Sequence, residues 1–512
     1  MNNTARTLLG AGFAVIVALY ANSLIGQGTH GGFLVLAAVF GAYMAMNIGA
    51  NDVANNVGPA VGSGALTIGG AVIIASIFEA AGALVAGGDV VGTIKKGIIS
   101  PNAFGSDPMV FVYAMSAALL SAALWLNLAT WLKAPVSTTH SIVGGVMGAG
   151  IAAGGFAIVS WGTMGKIAAS WLISPVLGGV IAAVFLYIIK SQILYKEDRV
   201  AAAKKIVPIL VAIMSAAFIT YLTLKGFKHV WGTIVEMFRF LPQTKKPTFA
   251  VALLFGVVGG VITFFIVKPR VAKKVVGLDN TRESINLLFM IPLIFSAALL
   301  SFAHGANDVA NAVGPLAAVN DALTSLKVSE KAAIPLWVMV VGGIGISIGL
   351  ALFGPRLIRT VGSEITELDQ MRAFSIMMAA AITVVIASQL GLPVSSTHIA
   401  VGAVFGVGFL REWLDSKGTG EKQLKLQEET AKHHKLKEEL VACPEEEYKR
   451  KLELLKAAKA QKKVVKAIKR DLRESYVKRG LVKKIIAAWV ITVPAAAILS
   501  AITFFVLKGL AA

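Results

Sequence analysis

The chain alternates apolar runs of roughly 20 residues with short polar interruptions, and about a dozen such runs recur along it. A run of that length is what a helix needs to cross a hydrocarbon core about 30 Å thick. The runs are too long for the roughly 10-residue alternating strands of a membrane barrel, so helices are the spanning element. The pattern therefore predicts an all-α polytopic membrane protein of about twelve transmembrane helices. The first run, Leu8 to Leu24, follows Arg6 and resembles a signal peptide, but no small-residue cleavage site follows it and it is read as a span.

Composition agrees with lipid as the solvent: 56% of the 512 residues are hydrophobic and only 15% are charged. The net charge of +20 could point to nucleic acid. The basic residues instead concentrate in loops between apolar runs, as the positive-inside rule requires, so no nucleic-acid partner is expected. A single cysteine, Cys443, excludes a disulfide framework and a Cys-rich metal site within the chain.

The chain also contains an internal duplication. MNIGANDVANNVGPAVGSG at Met46–Gly64 returns as FAHGANDVANAVGPLAAV at Phe302–Val319. A second pair follows each copy, LKAPVSTTHSIVGG from Leu132 and LGLPVSSTHIAVGA from Leu390. Two elements in the same order at nearly the same spacing mark two homologous halves. Taking Lys190–Lys205, Lys268–Lys274 and Arg411–Lys484 as cytoplasmic, and each PVS(S/T)TH segment as a hairpin tip, the loop 87–108 falls outside and its counterpart 354–372 inside. The repeats are then inverted, with re-entrant or broken helices, although Lys95 and Lys96 are unusual for an external loop. The expected organisation is an N-terminal helix (1–26), repeat 1 (27–192), connecting helices (193–284), repeat 2 (285–410), a charged helical segment (411–484) and a last span (485–508). The charged segment reads as two cytoplasmic helices broken near Cys443 and Pro444. Its composition leaves open a purely topological role, a regulatory partner and a homodimer contact.

Asp52 and Asp308 lie inside apolar runs, where an ionised carboxylate costs at least about 2.5 to 3.5 kcal/mol. Asn51, Asn55 and Asn56 in one half and Asn307 and Asn311 in the other add oxygen ligands, and Gly49, Gly58, Pro59, Gly305, Gly314 and Pro315 are available to break the helices. Carboxylate, amide and freed carbonyl oxygens suit a small hard cation; hydrogen bonding between helices is the alternative. Pro135 and Pro393 open the second motif, and Ser137, Thr138, Thr139, Ser395, Ser396 and Thr397 continue it as a helix-start signature. Helix N-termini and hydroxyls at mid-membrane suit an oxyanion, unless these residues only manage a kink. His140 and His398 can orient the loop, titrate or fill a polar gap. Glu79, a further intramembrane acid, is a coupling candidate. Neither motif contains Lys or Arg, so an anion placed beside two aspartates needs bound cations, and anion and cation are expected to travel together.

GANDVAN in two copies, each followed by P-V-S-(S/T)-T-H, closely resembles the inorganic phosphate transporter (PiT) family. The resemblance covers Gly32–Gly64, the run from Ala75, and Phe295–Val407; it leaves out the N-terminal span and everything after Arg411. It implies a multi-pass inner-membrane importer of inorganic phosphate, not an enzyme, coupled to sodium or, in some branches, to protons, without an organic cofactor. Carried over, cation ligands fall on Asp52, Asn55, Asp308 and Asn311, and phosphate donors on the six hydroxyl residues. SIFEAAG looks like the sodium-coupled members, whereas Met377 stands where such members often carry an acid. A permease for sulfate or another tetrahedral oxyanion is the nearest alternative. An intramembrane serine hydrolase using Ser137, His140 and Asp52 is a distant one, because a serine nucleophile needs one ordered site and this constellation occurs twice. A membrane scaffold or receptor without transport is disfavoured by the duplicated polar motifs.

Overall fold

Long apolar runs give helices throughout, even where glycine and proline fall inside them. The computed structural model describes all residues except 1, 25–30, 101–103, 105–106, 133, 135, 229, 326–333, 365–367, 417–420, 445–446, 477–478 and 512. Pro135 thus lies outside the described residues, as do the side chains of Lys95 and Lys96. The helices are α1 (Asn3–Ser23), α2 (Gly31–Gly62), α3 (Ile68–Ala86), α4 (Gly88–Lys96), α5 (Pro108–Trp131), α6 (Thr138–Gly154), α7 (Trp161–Ile189), α8 (Arg199–Lys225), α9 (Trp231–Met237) and α10 (Phe249–Lys274). They continue as α11 (Arg282–Leu287), α12 (Met290–Asp308), α13 (Ala310–Ser325), α14 (Leu336–Glu364), α15 (Gln370–Gln389), α16 (Ser396–Ser416), α17 (Glu421–Ala442), α18 (Tyr448–Tyr476) and α19 (Arg479–Ala511).

Among the described residues, 11 helical stretches are long and apolar enough to cross a membrane, close to the dozen read from the sequence. One reason for the smaller number is α6: its 17 residues span about 26 Å, short of a full crossing. The expected helix breaks are also placed differently. Helix α2 runs unbroken through Gly49, Gly58 and Pro59, while the path from α12 to α13 is interrupted at Val309 rather than at Pro315. Pro59 sits inside the last turn of α2, where its missing N–H leaves the Asn55 carbonyl without its i+4 donor but does not end the helix.

The repeats pack by exchange. Helix α2 of the first half lies against α14 of the second, and α12 of the second against α3 of the first; likewise α7 packs on α16 and α19 on α6. The α2–α14 and α3–α12 crossings use glycines in corresponding places. A methyl group on Gly49 would collide with the carbonyl oxygen of Ile346, and one on Gly305 with that of Glu79. The GAND glycines therefore serve close helix approach, which explains why they do not break α2. The tips of the hairpins α5–α6 and α15–α16 are buried where they are described, at Val136 and Ser137 and at Val394 and Ser395. Outside this body, α17 and α18 pack on each other, with the break between them at Cys443 and Pro444. Gln461 Nε2 donates to the Glu429 carbonyl (3.1 Å) across that pair, and the Arg411 guanidinium lies 5.4 Å from the Tyr476 ring, joining α16 to α18.

Candidate functional site

The serines that the sequence marks as helix starts act as caps. Ser137 Oγ accepts the backbone N–H of His140 (3.1 Å), and Ser395 Oγ accepts that of His398 (3.2 Å). Helices α6 and α16 thus begin with their N-termini buried at the centre of the protein, where the unpaired first-turn N–H groups and the helix dipole favour negative charge.

The two tips are tied to each other. Thr139 Oγ1 donates to the Val394 carbonyl (2.8 Å), and Thr397 Oγ1 lies 3.5 Å from that of Val136. They are tied to the first motif in the same reciprocal way. Asn55 Nδ2 donates to Thr397 Oγ1 (2.9 Å), and Asn311 Nδ2 to Thr139 Oγ1 (3.2 Å), so each asparagine reaches the hairpin of the other half. Thr138 Oγ1 bridges the two acids, 2.8 Å from Asp52 Oδ2 and 3.3 Å from Asp308 Oδ2, and Ser396 Oγ approaches Asp308 Oδ2 at 3.4 Å. Asn51 Nδ2 donates to Thr130 Oγ1 (3.0 Å) and Asn307 Nδ2 to Ser388 Oγ (3.0 Å). The twelve residues singled out as phosphate and cation ligands are all buried, and eight of them, Asp52, Asn55, Asp308, Asn311, Thr138, Thr139, Ser396 and Thr397, are joined by these contacts into one cluster.

These residues have oxygen to spare. The amide oxygens of Asn51, Asn307 and Asn311 and Asp308 Oδ1 are buried and accept no hydrogen bond among the described residues. Buried acceptors left in this state are costly in a solvent-free interior, and a hard cation is a partner suited to them.

Sequence reasoning missed His304. Its Nδ1 lies 3.0 Å from Glu79 Oε2, and its Nε2 lies 3.1 Å from Asp308 Oδ2 and 3.5 Å from Asp52 Oδ2, the last two without hydrogen-bond alignment. Glu79 also accepts from Asn56 Nδ2 (2.7 Å). The inference that the protein places no positively chargeable group beside the two aspartates needs correction, because His304 touches both acids and Glu79. The signal was visible within the duplication: His304 precedes Gly305 where Ile48 precedes Gly49. A search for residues shared by the two copies passes over it.

His140 and His398 form the middle of a four-ring stack. Their ring centroids are 4.4 Å apart, and each stacks outward on a tryptophan at 3.6 Å, His140 on Trp171 and His398 on Trp489. Trp171 Nε1 donates to the Pro393 carbonyl (3.2 Å), gripping the opposite tip. The tryptophans were also missed; SWLIS from Ser170 and AWVIT from Ala488 are similar, with a proline four and five residues after the tryptophan.

Known proteins match this chain along nearly its whole length. The family model described as the phosphate transporter family matches residues 48–500, so the similarity passes Arg411, where the sequence resemblance had stopped, and reaches α19. A candidate phosphate permease of Helicobacter pylori strain J99 is 49% identical over 98% of this chain and 93% of its own length. Another, from Pyrococcus abyssi, is 40% identical over 74% of this chain and 89% of its own. A solved structure of a sodium-dependent phosphate transporter superposes with a TM-score of 0.73 at 32% identity, covering 93% of this chain and 99% of that one. The chain belongs to the phosphate transporter family.

Proposed function

We propose that this chain imports inorganic phosphate by symport with sodium, and that one buried cluster binds both. The observation that carries the reading is the meeting of two helix N-termini, α6 and α16, with two carboxylates across a layer of hydroxyls. In this reading Ser137, Thr138, Thr139, Ser395, Ser396 and Thr397 turn their hydroxyls and the first-turn N–H groups toward phosphate. Asp52, Asn55, Asp308 and Asn311, with Asn51 and Asn307, hold sodium through carboxylate and amide oxygens. The reciprocal bonds explain why anion and cation move together. Thr138 and Thr397 now lie against the carboxylates, and a cation that draws the acids away leaves those hydroxyls for the anion. The sodium-dependent transporter that superposes on this chain supports sodium over the proton.

The reading places the protein in the inner membrane and treats the helical hairpin of 411–484 as dispensable for transport. Uptake into proteoliposomes, with sodium and pH gradients imposed separately, tests it. Sodium-driven accumulation is expected in the unmutated protein and is expected to disappear in the Asp52→Asn, Asp308→Asn pair, which keeps the side-chain shapes and removes the charges. Accumulation driven only by a pH gradient would reassign the ion, and competition by sulfate rather than arsenate would reassign the anion.

A further inference from the structure

A second polar feature lies beside the end of α5. Helices α1, α2, α5 and α14 enclose a cavity of about 720 Å³. Arg6 and Arg356 line it, the latter donating from Nη2 to Asn3 Oδ1 (2.8 Å), which joins α14 to the start of α1. Apolar side chains, among them Phe40 and Phe353, make up most of the wall. Asn127 and Thr130 line it too: Asn127 Nδ2 reaches toward Asn47 Oδ1 (3.4 Å), and Thr130 accepts its bond from Asn51, the neighbour of Asp52.

Among the described residues two guanidinium groups and no carboxylate line this cavity, so its field favours an anion. Arginine is also the side chain whose fork matches phosphate oxygens, and near a helix end it can hold such a group at interfacial depth while its stem stays in apolar surroundings. We propose that the cavity is a second site for a phosphate group, held at Arg6 and Arg356 rather than at the hydroxyls of the hairpin tips. Two sources carry that chemistry. Inorganic phosphate on its way to or from Asn51 would use the arginines together with Asn127 and Thr130, whereas the head group of an anionic phospholipid would sit at the arginines alone with a chain along Phe40 and Phe353. The inference does not depend on the identity of the coupling ion or on the roles given to the tips.

The test uses the full chain in nanodiscs. In phosphatidylcholine alone, equilibrium binding of inorganic phosphate is measured; in discs containing phosphatidylglycerol, lipid retained by the protein is measured by native mass spectrometry. Arg6→Gln, Arg356→Gln is expected to weaken a phosphate-binding event roughly tenfold or more, or to abolish phosphatidylglycerol retention, while the Lys, Lys pair keeps most of either. The first result identifies free phosphate and the second a lipid head group. Thr138→Ala serves as control, altering the hairpin-tip event and leaving this one. Because Arg356 also holds Asn3, the single Arg6→Gln variant is run in parallel. Unchanged phosphate binding and unchanged lipid retention in folded Arg6→Gln and double-Gln proteins would overturn the proposal.

Discussion

Where α2 crosses α14, Ile48 precedes the contact glycine Gly49, and Ile346 offers the carbonyl that Gly49 approaches. Where α12 crosses α3, His304 precedes Gly305, and Glu79 offers the carbonyl. All four side chains are fully buried. The two crossings share a backbone arrangement and differ in chemistry: an apolar pair in one, a carboxylate and an imidazole joined at 3.0 Å in the other. Duplication thus fixed the frame of the site, while its charges were left unequal. The reciprocal bonds at the hairpin tips belong to the frame, and the contact of His304 with Asp52, Glu79 and Asp308 belongs to one side alone.

The shared frame is where substitution should do most damage. Gly49→Val and Gly305→Val each drive a side chain into a backbone carbonyl, which cannot swing aside as a flexible side chain can. The cost should exceed the roughly 3 kcal/mol typical of overpacking, and size-exclusion profiles of detergent-solubilised protein should show little folded material for either. Folded, active Gly305→Val protein would show that the two crossings are not built alike.

The unequal chemistry should appear in transport. Glu79→Gln and His304→Gln each remove one partner of a buried pair, a loss of about 3 to 5 kcal/mol, and phosphate uptake by purified protein should fall roughly 100-fold or more. Ile48→Val and Ile346→Val, at the corresponding places, should cost about 1 kcal/mol of stability and leave uptake within a few fold. Equal losses on both sides would make the histidine and the glutamate structural features of the crossing.

How far this was legible in the sequence follows from the same contrast. The apolar runs, the two motifs and the hydroxyl-rich helix starts are local patterns, and the residues they mark, from Asp52 and Asn55 to Ser395 and Thr397, lie together in the fold. The exchange of helices between halves was not legible, because the contact of α19 with α6 joins segments more than 300 residues apart in the chain. His304 was hidden by the method itself: comparing repeats rewards what is common, and this residue matters where the copies differ. Trp171 and Trp489 look like ordinary apolar-run aromatics until the folded chain places each on a histidine.

Within the tips, Thr138 and Ser396 are corresponding residues with unequal contacts. Thr138 touches both acids, at 2.8 and 3.3 Å, while Ser396 touches Asp308 alone, at 3.4 Å. A hydrogen bond to a charged group contributes about 1.5 to 3 kcal/mol, so Thr138→Ala should weaken coupled sodium and phosphate binding about tenfold or more. Ser396→Ala should weaken it only a few fold. Isothermal titration of both ions into each variant measures the difference, and a larger effect at Ser396 would reverse the asymmetry drawn here.

The smallest expected effect concerns the four-ring stack, whose ring spacings match in the two halves, although only Trp171 of the two tryptophans bonds a tip among the described residues. Each stacked pair contributes about 0.5 to 1.5 kcal/mol beyond burial, so His140→Ala or His398→Ala should raise the KM for phosphate roughly two- to tenfold. The two losses should be alike, because each imidazole meets one tryptophan at 3.6 Å and the other imidazole at 4.4 Å. If the rings act by stacking, their nitrogens are dispensable: His140→Phe and His398→Phe should restore most of the affinity, and the pH profile of uptake should keep its shape. If they act by carrying a proton, phenylalanine should behave like alanine and the pH profile should change. Affinity is the informative quantity, since a slackened tip presents its hydroxyls less often in the binding geometry, while an anion already bound there is held by the same groups as before.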